Sequence, residues 1–180
     1  FPFGGALALL SLSMATLSSR EPWVLIGLLI LMALPPWLDV KRRNRSTVVF
    51  GFHMGLMGGL MIIGQLLLSY FDVSSRWGQL GAVVLAAGCL IRCGIVPVHC
   101  WMTDLFEKAS FGVALLFVTP ISGAYAVMRL VYPVVPSWVL QSVAIVSLFT
   151  AIYGAGMALV QTEARRFFCY LFLSFSSLVL

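Results

Sequence analysis

Most residues whose side chains could bind ions or transfer protons lie in one apolar stretch, LAAGCLIRCGIVPVHCWMTDLFEKAS, at positions 85–110. Arg92 lies inside the apolar run, and Pro97 follows it about one turn later. Because proline lacks an N–H and disturbs a helix, we expect backbone carbonyls near residues 91–93 to lose their partners and to need water or side chains. This pattern is typical of a broken helix that lines a cavity. The alternative interpretation is that Arg92 snorkels to an interface and that Pro97 only ends the helix.

Other titratable and metal-binding residue types give weaker signals. His53, in TVVFGFHMGLMGGLM, could accept a proton inside its helix, although such a histidine is more often simply hydrogen-bonded. His99 could be grouped with Cys93 and Cys100, but this spacing matches no zinc pattern, and nothing pairs His53 with His99 around a haem. The sequence has no phosphate loop, nucleophile elbow or carboxylate dyad. We therefore predict no metal, no cofactor and no catalytic site in this chain.

The composition excludes a soluble globular protein. Of the 180 residues, 61% are hydrophobic and only 9% are charged, and the mean hydropathy is +1.05. The 11 basic residues exceed the 6 acidic ones, but they cluster between apolar runs, which is how membrane proteins set their orientation. Nucleic acid is therefore not an expected partner, whereas the lipid bilayer is. The four cysteines lie in or beside apolar segments and predict no disulfide framework.

The apolar runs divide the chain into seven predicted transmembrane helices. A helix needs about 20 apolar residues to cross a hydrocarbon core of about 30 Å. The predicted helices lie near residues 4–18, 22–39, 47–71, 78–98, 111–131, 137–160 and 166–180. Because the chain begins at Phe1 and stops inside an apolar run, we expect it to be a piece of a longer protein. The predicted fold is an all-α, polytopic integral membrane protein.

Charge in the six loops predicts the orientation of the chain. The loops after helices two, four and six hold Lys41, Arg42, Arg43, Arg45, Lys108, Arg165 and Arg166. The loops after helices one, three and five hold only Arg20, Arg76 and Arg129. Because basic loops stay in the cytoplasm, the first group of loops and the N-terminus of this piece are predicted to be cytoplasmic. The remaining basic residue, Arg92, lies within a helix and therefore needs a partner there.

The stretch around Arg92 resembles the central signature of the antiporter-like membrane subunits of respiratory complex I, membrane-bound hydrogenases and multi-subunit sodium/proton antiporters. That signature reads approximately K-x-P-x-x-P-x-H-x-W-x-P-D-A-x-x-x-A-P. The positions of this sequence that keep the pattern are Pro97, His99, Trp101, Asp104 and Ala109. Several family members also have glutamate at the position of Glu107, and two prolines of the signature are replaced by Thr103 and Ser110.

Two further stretches resemble the same family. GAYAVMRL, at residues 123–130 and including Arg129, is similar to the family's G-A-Y-G-L-L-R-F helix end. YGAGMALVQTEARRFFCYLFLS, at residues 153–174 and including Arg165, is similar to its Y-G-A-L-x-A-L-x-Q-T-D-I-K-R-L-L-A-Y-S-S-I-S segment. The first two predicted helices match the family more loosely.

The resemblance implies an antiporter-type transmembrane domain, with a first helix repeat at residues 1–131 and the start of a second, inverted repeat at residues 132–180. It also implies a membrane subunit of a proton- or cation-translocating complex, such as NADH:quinone oxidoreductase, that works with other membrane subunits. Peripheral redox subunits are further candidate partners, and the implied location is a bacterial inner membrane. The motif residues that mark the implied ion pathway are Arg92, Pro97, His99, Trp101, Asp104, Glu107, Arg129 and Arg165, with His53 as an alternative proton site.

The resemblance also indicates where the family's relay residues are replaced. The family's mid-membrane glutamate falls on Ile30, its helix-seven lysine on Arg92 and its helix-eight lysine on Ile121. In the last motif a lysine becomes Arg165 and a histidine becomes Phe175. A proton relay needs groups that gain and lose a proton, whereas a guanidinium stays protonated. We therefore expect this piece to keep the architecture of a proton-channel subunit without its usual relay.

Three alternatives stay open at this point. The chain could belong to a sodium/proton antiporter assembly without redox coupling, which its partner subunits would show. It could belong to the branch that works with a peripheral zinc protein in inorganic-carbon uptake. It could also be a scaffold of the same fold with no transport activity, which the loss of titratable residues favours.

Overall fold

The structure, a computed structural model, describes residues 3–179. Within that range the chain forms helices and connecting turns with no strand, which confirms the all-α prediction. The helices are, in chain order, α1 (Phe3–Ser18), α2 (Pro22–Leu31), α3 (Leu34–Arg42), α4 (Val48–Tyr70), α5 (Arg76–Cys93), α6 (Cys100–Lys108), α7 (Phe111–Val118), α8 (Pro120–Ala126), α9 (Ser137–Leu159) and α10 (Ala164–Leu178). A π-helical turn, Val127–Val131, follows α8 directly.

Four helical stretches in the described part of the chain are long and apolar enough to cross a membrane. They are Pro22–Arg42, Val48–Tyr70, Phe111–Val131 and Ser137–Leu159. Of the remaining long helices, α1 has 16 residues, α5 has 18 and α10 has 15. This architecture is that of a polytopic membrane protein. The number of seven spans stays a prediction, and the predicted end of the last helix, Leu180, lies outside the described residues.

The predicted helix over residues 78–98 is wrong at its C-terminal end. The helix ends at Cys93, because Gly94 adopts a left-handed backbone conformation with φ 74° that favours glycine and terminates helices. The chain resumes a helical path only at Cys100, so α6 is a separate short helix. The sequence signal for this end was Gly94 rather than Pro97.

The predicted helix over residues 111–131 is confirmed as one membrane-length helical stretch, but it is not continuous. It is interrupted at Thr119, because Pro120 cannot donate to the preceding turn and disfavours a helical residue before it. Proline instead occupies the first turn of α8, where its missing N–H costs nothing. α5–α6 and α7–α8 are therefore two broken helices.

The hairpin of α4 and α5 is packed at backbone contact. A Cβ atom on Gly64 would lie 2.6 Å from the backbone nitrogen of Leu85, so only glycine fits there. Gly58 contacts a side chain of α2 instead, because an added Cβ atom would lie 3.2 Å from Cδ1 of Ile30. Glycines of the segment at residues 55–64 thus allow α4 to approach its neighbours closely at these two positions.

Three large aromatic side chains join the first broken helix to its neighbours. Trp101 of α6, Phe50 of α4 and Phe117 of α7 are each 0–1% exposed. Their ring centroids are 5.6–6.2 Å apart, and each pair meets edge to face, the arrangement that aromatic quadrupoles favour. This aromatic cluster fixes α6 against the second broken helix.

Candidate functional site

The break between α5 and α6, here called the first break, spans residues 94–99. It contains the cis Val96–Pro97 peptide bond, and Pro97 is exposed. The N–H of Val96 donates to Oγ1 of Thr150 on α9 at 3.3 Å. The irregular backbone is thus partly satisfied by a neighbouring helix, as a break inside a membrane requires.

The C-terminal carbonyls of α5 also find partners across the first break. The Ile91 carbonyl accepts from Nε1 of Trp101 at 3.0 Å and from the N–H of Gly94. The Cys93 carbonyl accepts from Oγ of Ser176 on α10 at 3.2 Å. The expectation that carbonyls near residues 91–93 need side-chain donors is therefore confirmed.

Arg92 is held at a second break, the interruption between α7 and α8 at Thr119. It is 3% exposed, and its Nη2 donates to the Phe117 carbonyl at 2.8 Å and to Oγ of Ser122 at 2.9 Å. Its guanidinium also lies 4.1 Å from the centroid of the Phe117 ring, a cation–π distance. The alternative that Arg92 snorkels to an interface is wrong, because this side chain is fully enclosed.

The charge of Arg92 lies at the C-terminal ends of two helices. Arg92 is in the last turn of α5, and its acceptor Phe117 is in the last turn of α7. Helix C-termini carry a partial negative charge of about −0.5 from their free carbonyls, so both ends favour a cation. The break at Pro120 leaves the Phe117 carbonyl without its helical donor, and this creates the acceptor that Arg92 uses.

Two arginines at the N-terminal end of α10 contact the C-terminal end of α6. Nη1 of Arg165 donates to the carbonyls of Phe106 and Ala109, at 3.3 and 3.2 Å, and so satisfies the C-terminal end of α6. Arg166 pairs with Glu107, whose carboxylate is about half exposed. The motif residues Arg165 and Glu107 thus both take part in contacts that hold α6 against α10.

Asp104 pairs with Lys108 one turn along α6. His99, at the start of α6, is half-buried, and its ring lies 5.6 Å from that of Tyr153 and 6.4 Å from that of Tyr170. The first break therefore ends at His99, whose ring lies near two tyrosines of α9 and α10. It leaves Asp104 in a local ion pair.

Two predicted site residues lie elsewhere. Nδ1 of His53 is 2.8 Å from the carbonyl of Val49, one turn earlier in α4, and the adjacent Phe52 ring meets it edge to face. His53 is thus a hydrogen-bonded helix residue. Arg129 is exposed on the π-helical turn.

Metal-binding residue types are scattered across the described chain. Among residues 3–179, no group of three or more histidine, cysteine, aspartate or glutamate side chains could hold a metal ion. The four cysteines are free thiols. The absence of metal and cofactor stays a prediction.

Sequence analysis missed three residues that complete the site. Phe117 and Ser122 supply the two acceptors of Arg92. The sequence signal for the helix break between them was the Thr119–Pro120 pair. Asp39 was also missed: its buried Oδ2 accepts from the N–H of Ser110 at 2.6 Å, which anchors the first turn of α7 to α3.

A buried cation beside the ends of two broken helices, inside a bundle with four membrane-length helical stretches among residues 3–179, defines the class as a polytopic membrane protein. The sequence of residues 45–178 matches the family described as NADH:quinone oxidoreductase/Mrp antiporter, transmembrane. The chain belongs to this family.

Two relatives of the chain are subunits of quinone oxidoreductases. The chain is 32% identical over 95 residues to NADH-quinone oxidoreductase subunit N of Beutenbergia cavernae, a match that covers 50% of this chain and 18% of the relative. It is 25% identical over 172 residues to the chloroplastic NAD(P)H-quinone oxidoreductase subunit 5 of Helianthus annuus, a match that covers 82% of this chain and 23% of the relative. The chain thus spans about one fifth of the length of these relatives.

The fold matches a subunit in the structure of the Mrp complex from Dietzia sp. The TM-score is 0.74 at 18% sequence identity, and the match covers 94% of this chain and 37% of the other. The resemblance to the antiporter-like family is therefore confirmed for both sequence and fold.

Proposed function

We propose that this chain is part of a membrane subunit of a proton- or cation-translocating complex, in which the segment at residues 3–179 no longer relays protons. Its role in the complex is then to hold the two broken helices together around a fixed positive charge. The family membership and the fold support the first half of this proposal. The geometry around Arg92 supports the second half.

The observation that carries the proposal is the set of contacts of Arg92. A relay residue must release a proton and reorient toward the next acceptor, so it needs a titratable group and free space. Arg92 stays charged, donates to two fixed acceptors and stacks on Phe117. These contacts fit a fixed structural cation and argue against a role of Arg92 in proton transfer.

The acidic residues support the same conclusion. All six carboxylates of the chain lie within the described residues, and none is in the central part of a membrane-length helix. They are Glu21, Asp39, Asp72, Asp104, Glu107 and Glu163. The most enclosed of them, Asp39, is engaged with Ser110 and with Arg43 near the end of α3.

The proposal extends to partners and location. The named relatives are oxidoreductase subunits, and the structural neighbour is a component of the Mrp complex, so we expect other membrane subunits beside this chain. Peripheral redox subunits would distinguish an oxidoreductase from an antiporter. We expect a bacterial inner membrane, with the N-terminus of this piece and the Lys41–Arg45, Lys108 and Arg165 loops in the cytoplasm.

The test is proton flux through the complete complex in proteoliposomes, with Arg92→Gln compared with the exposed control Arg129→Gln. We expect flux per assembled complex to remain at least half of the wild-type value in both variants, while Arg92→Gln lowers the yield of assembled complex. Loss of flux at normal assembly in Arg92→Gln would show that Arg92 conducts, contrary to the proposal. A wild-type complex that moves no cation would leave only the scaffold function, and mass spectrometry of the purified complex would identify redox, antiporter or zinc-protein partners.

A further inference from the structure

A groove runs between α1 and the span formed by α2 and α3. Its volume is about 550 Å³. Small residues of α1, Gly4, Gly5, Ala8 and Ser11, form one wall. The other wall consists mainly of Leu31, Leu34, Pro35 and Leu38.

The groove opens at the exposed surface of the described bundle, and the wall formed by α2 and α3 is about as long as one leaflet is deep. Leu31, Leu34 and Leu38 are 43–48% exposed, so the wall that they form faces the surroundings of the bundle. From Leu31 to Arg42 a helical path rises about 16 Å at about 1.5 Å per residue. One leaflet of a hydrocarbon core of about 30 Å is about 15 Å deep. The groove therefore fits an acyl chain lying along the membrane normal.

The mouth of the groove is strongly basic. Arg42 lines it, and Lys41, Arg43 and Arg45 lie beside it in the sequence. Arg43 pairs with Asp39 at 3.4 Å, and Lys41 lies 4.7 Å from the ring centroid of Trp37. Arg42 and Arg45 form no ion pair among residues 3–179, so their charges remain available to a ligand. The one carboxylate that lines the groove, Asp39, is already occupied by the N–H of Ser110 and by Arg43.

We propose that this groove is a binding site for an anionic phospholipid. One acyl chain occupies the space between α1 and α3, and the phosphate group lies against Arg42 with Arg45 nearby. Basic pockets between transmembrane helices are known to bind anionic head groups, and each basic side chain near the membrane surface contributes separately to that attraction. A zwitterionic lipid could fill the same groove but would gain less from the basic mouth.

The test uses the complete protein, purified in mild detergent with its bound lipids quantified by mass spectrometry. Thermal stability is then measured against added phosphatidylglycerol and, separately, phosphatidylcholine. Arg42→Gln removes the charge at the mouth, and Ala8→Leu fills the groove without changing charge. The matched controls are Arg76→Gln, at the exposed first residue of α5, and Ala15→Leu, at an exposed position of α1 outside the groove.

We expect retained phosphatidylglycerol in the wild type and both controls, about fivefold weaker binding in Arg42→Gln, and none in Ala8→Leu. Phosphatidylcholine should stabilise the protein less than phosphatidylglycerol does. Equal retention in the wild type, Arg42→Gln and Ala8→Leu would overturn the proposal, as would equal stabilisation by the two lipids. A photocrosslinker at position 8 that reacts with another protein segment in place of lipid would also overturn it.

Discussion

One added methyl group at Gly64 tests the contact that holds α4 against α5. In Gly64→Ala the new Cβ atom would lie 2.6 Å from the backbone nitrogen and 2.8 Å from Cα of Leu85, whereas ordinary contacts begin at 3.4 Å. Because these atoms belong to the backbone, no side-chain rotation can relieve the overlap, and the two helices must separate by roughly 1 Å. Overpacking of this kind costs about 1–3 kcal/mol.

Gly59→Ala, on the same helix, is the matched control. A Cβ atom at Gly59 would have no neighbour within 4 Å, so the change adds helix propensity without a clash. Alanine is favoured over glycine in a helix by up to about 1 kcal/mol, and this gain applies to both variants. We therefore expect the free energy of unfolding of Gly64→Ala to fall about 2 kcal/mol below that of Gly59→Ala.

The measurement is reversible unfolding of the complete protein in mixed micelles with increasing dodecyl sulfate, followed by tryptophan fluorescence. The Gly64→Ala variant should unfold at a lower dodecyl sulfate fraction than the wild type, and Gly59→Ala at the same or a higher one. Equal midpoints for the two variants would refute the backbone contact of α4 and α5. A more stable Gly64→Ala protein would refute it as well.

Three further substitutions test individual hydrogen bonds of the site. Trp101→Phe removes the Nε1 donor to Ile91 but keeps the aromatic ring, and should lower the free energy of unfolding by about 1 kcal/mol, measured in the same micelle assay. Arg165→Gln should speed hydrogen exchange of the amides in the last turn of α6, measured by mass spectrometry, and unchanged exchange there would contradict its capping role. Asp39→Asn weakens a charge-assisted bond to Ser110 and should cost about 1–3 kcal/mol, whereas a neutral effect would show that α7 is anchored by other contacts.

The sequence predicted that the backbone near Arg92 is irregular, and it predicted the consequence for the carbonyls of α5. It could not predict the donors, because Trp101 and Ser176 reach Ile91 and Cys93 from 10 and 83 residues away in the chain. Such distant partners follow from how helices pack, and a single sequence carries little information on packing.

The sequence does contain a signal for the second break. Proline in an apolar run interrupts a helix at the residue before it, and Pro120 satisfied that rule. Residues 111–131 are almost all apolar, and the length of this run by itself predicts one helix. The partner of Arg92 was missed for the same reason, because the free Phe117 carbonyl exists only if the helix is broken.

The enclosed guanidinium of Arg92 also sets the electrical properties of the bundle interior. A second positive charge that came within 8 Å of it, at an effective dielectric constant of 20, would be repelled by about 2 kcal/mol. That energy reduces the passage of such an ion about thirtyfold. Arginine excludes cations in the same way in pores that conduct water alone. Because this charge is fixed, it is an electrostatic barrier to cations in the interior of the described bundle.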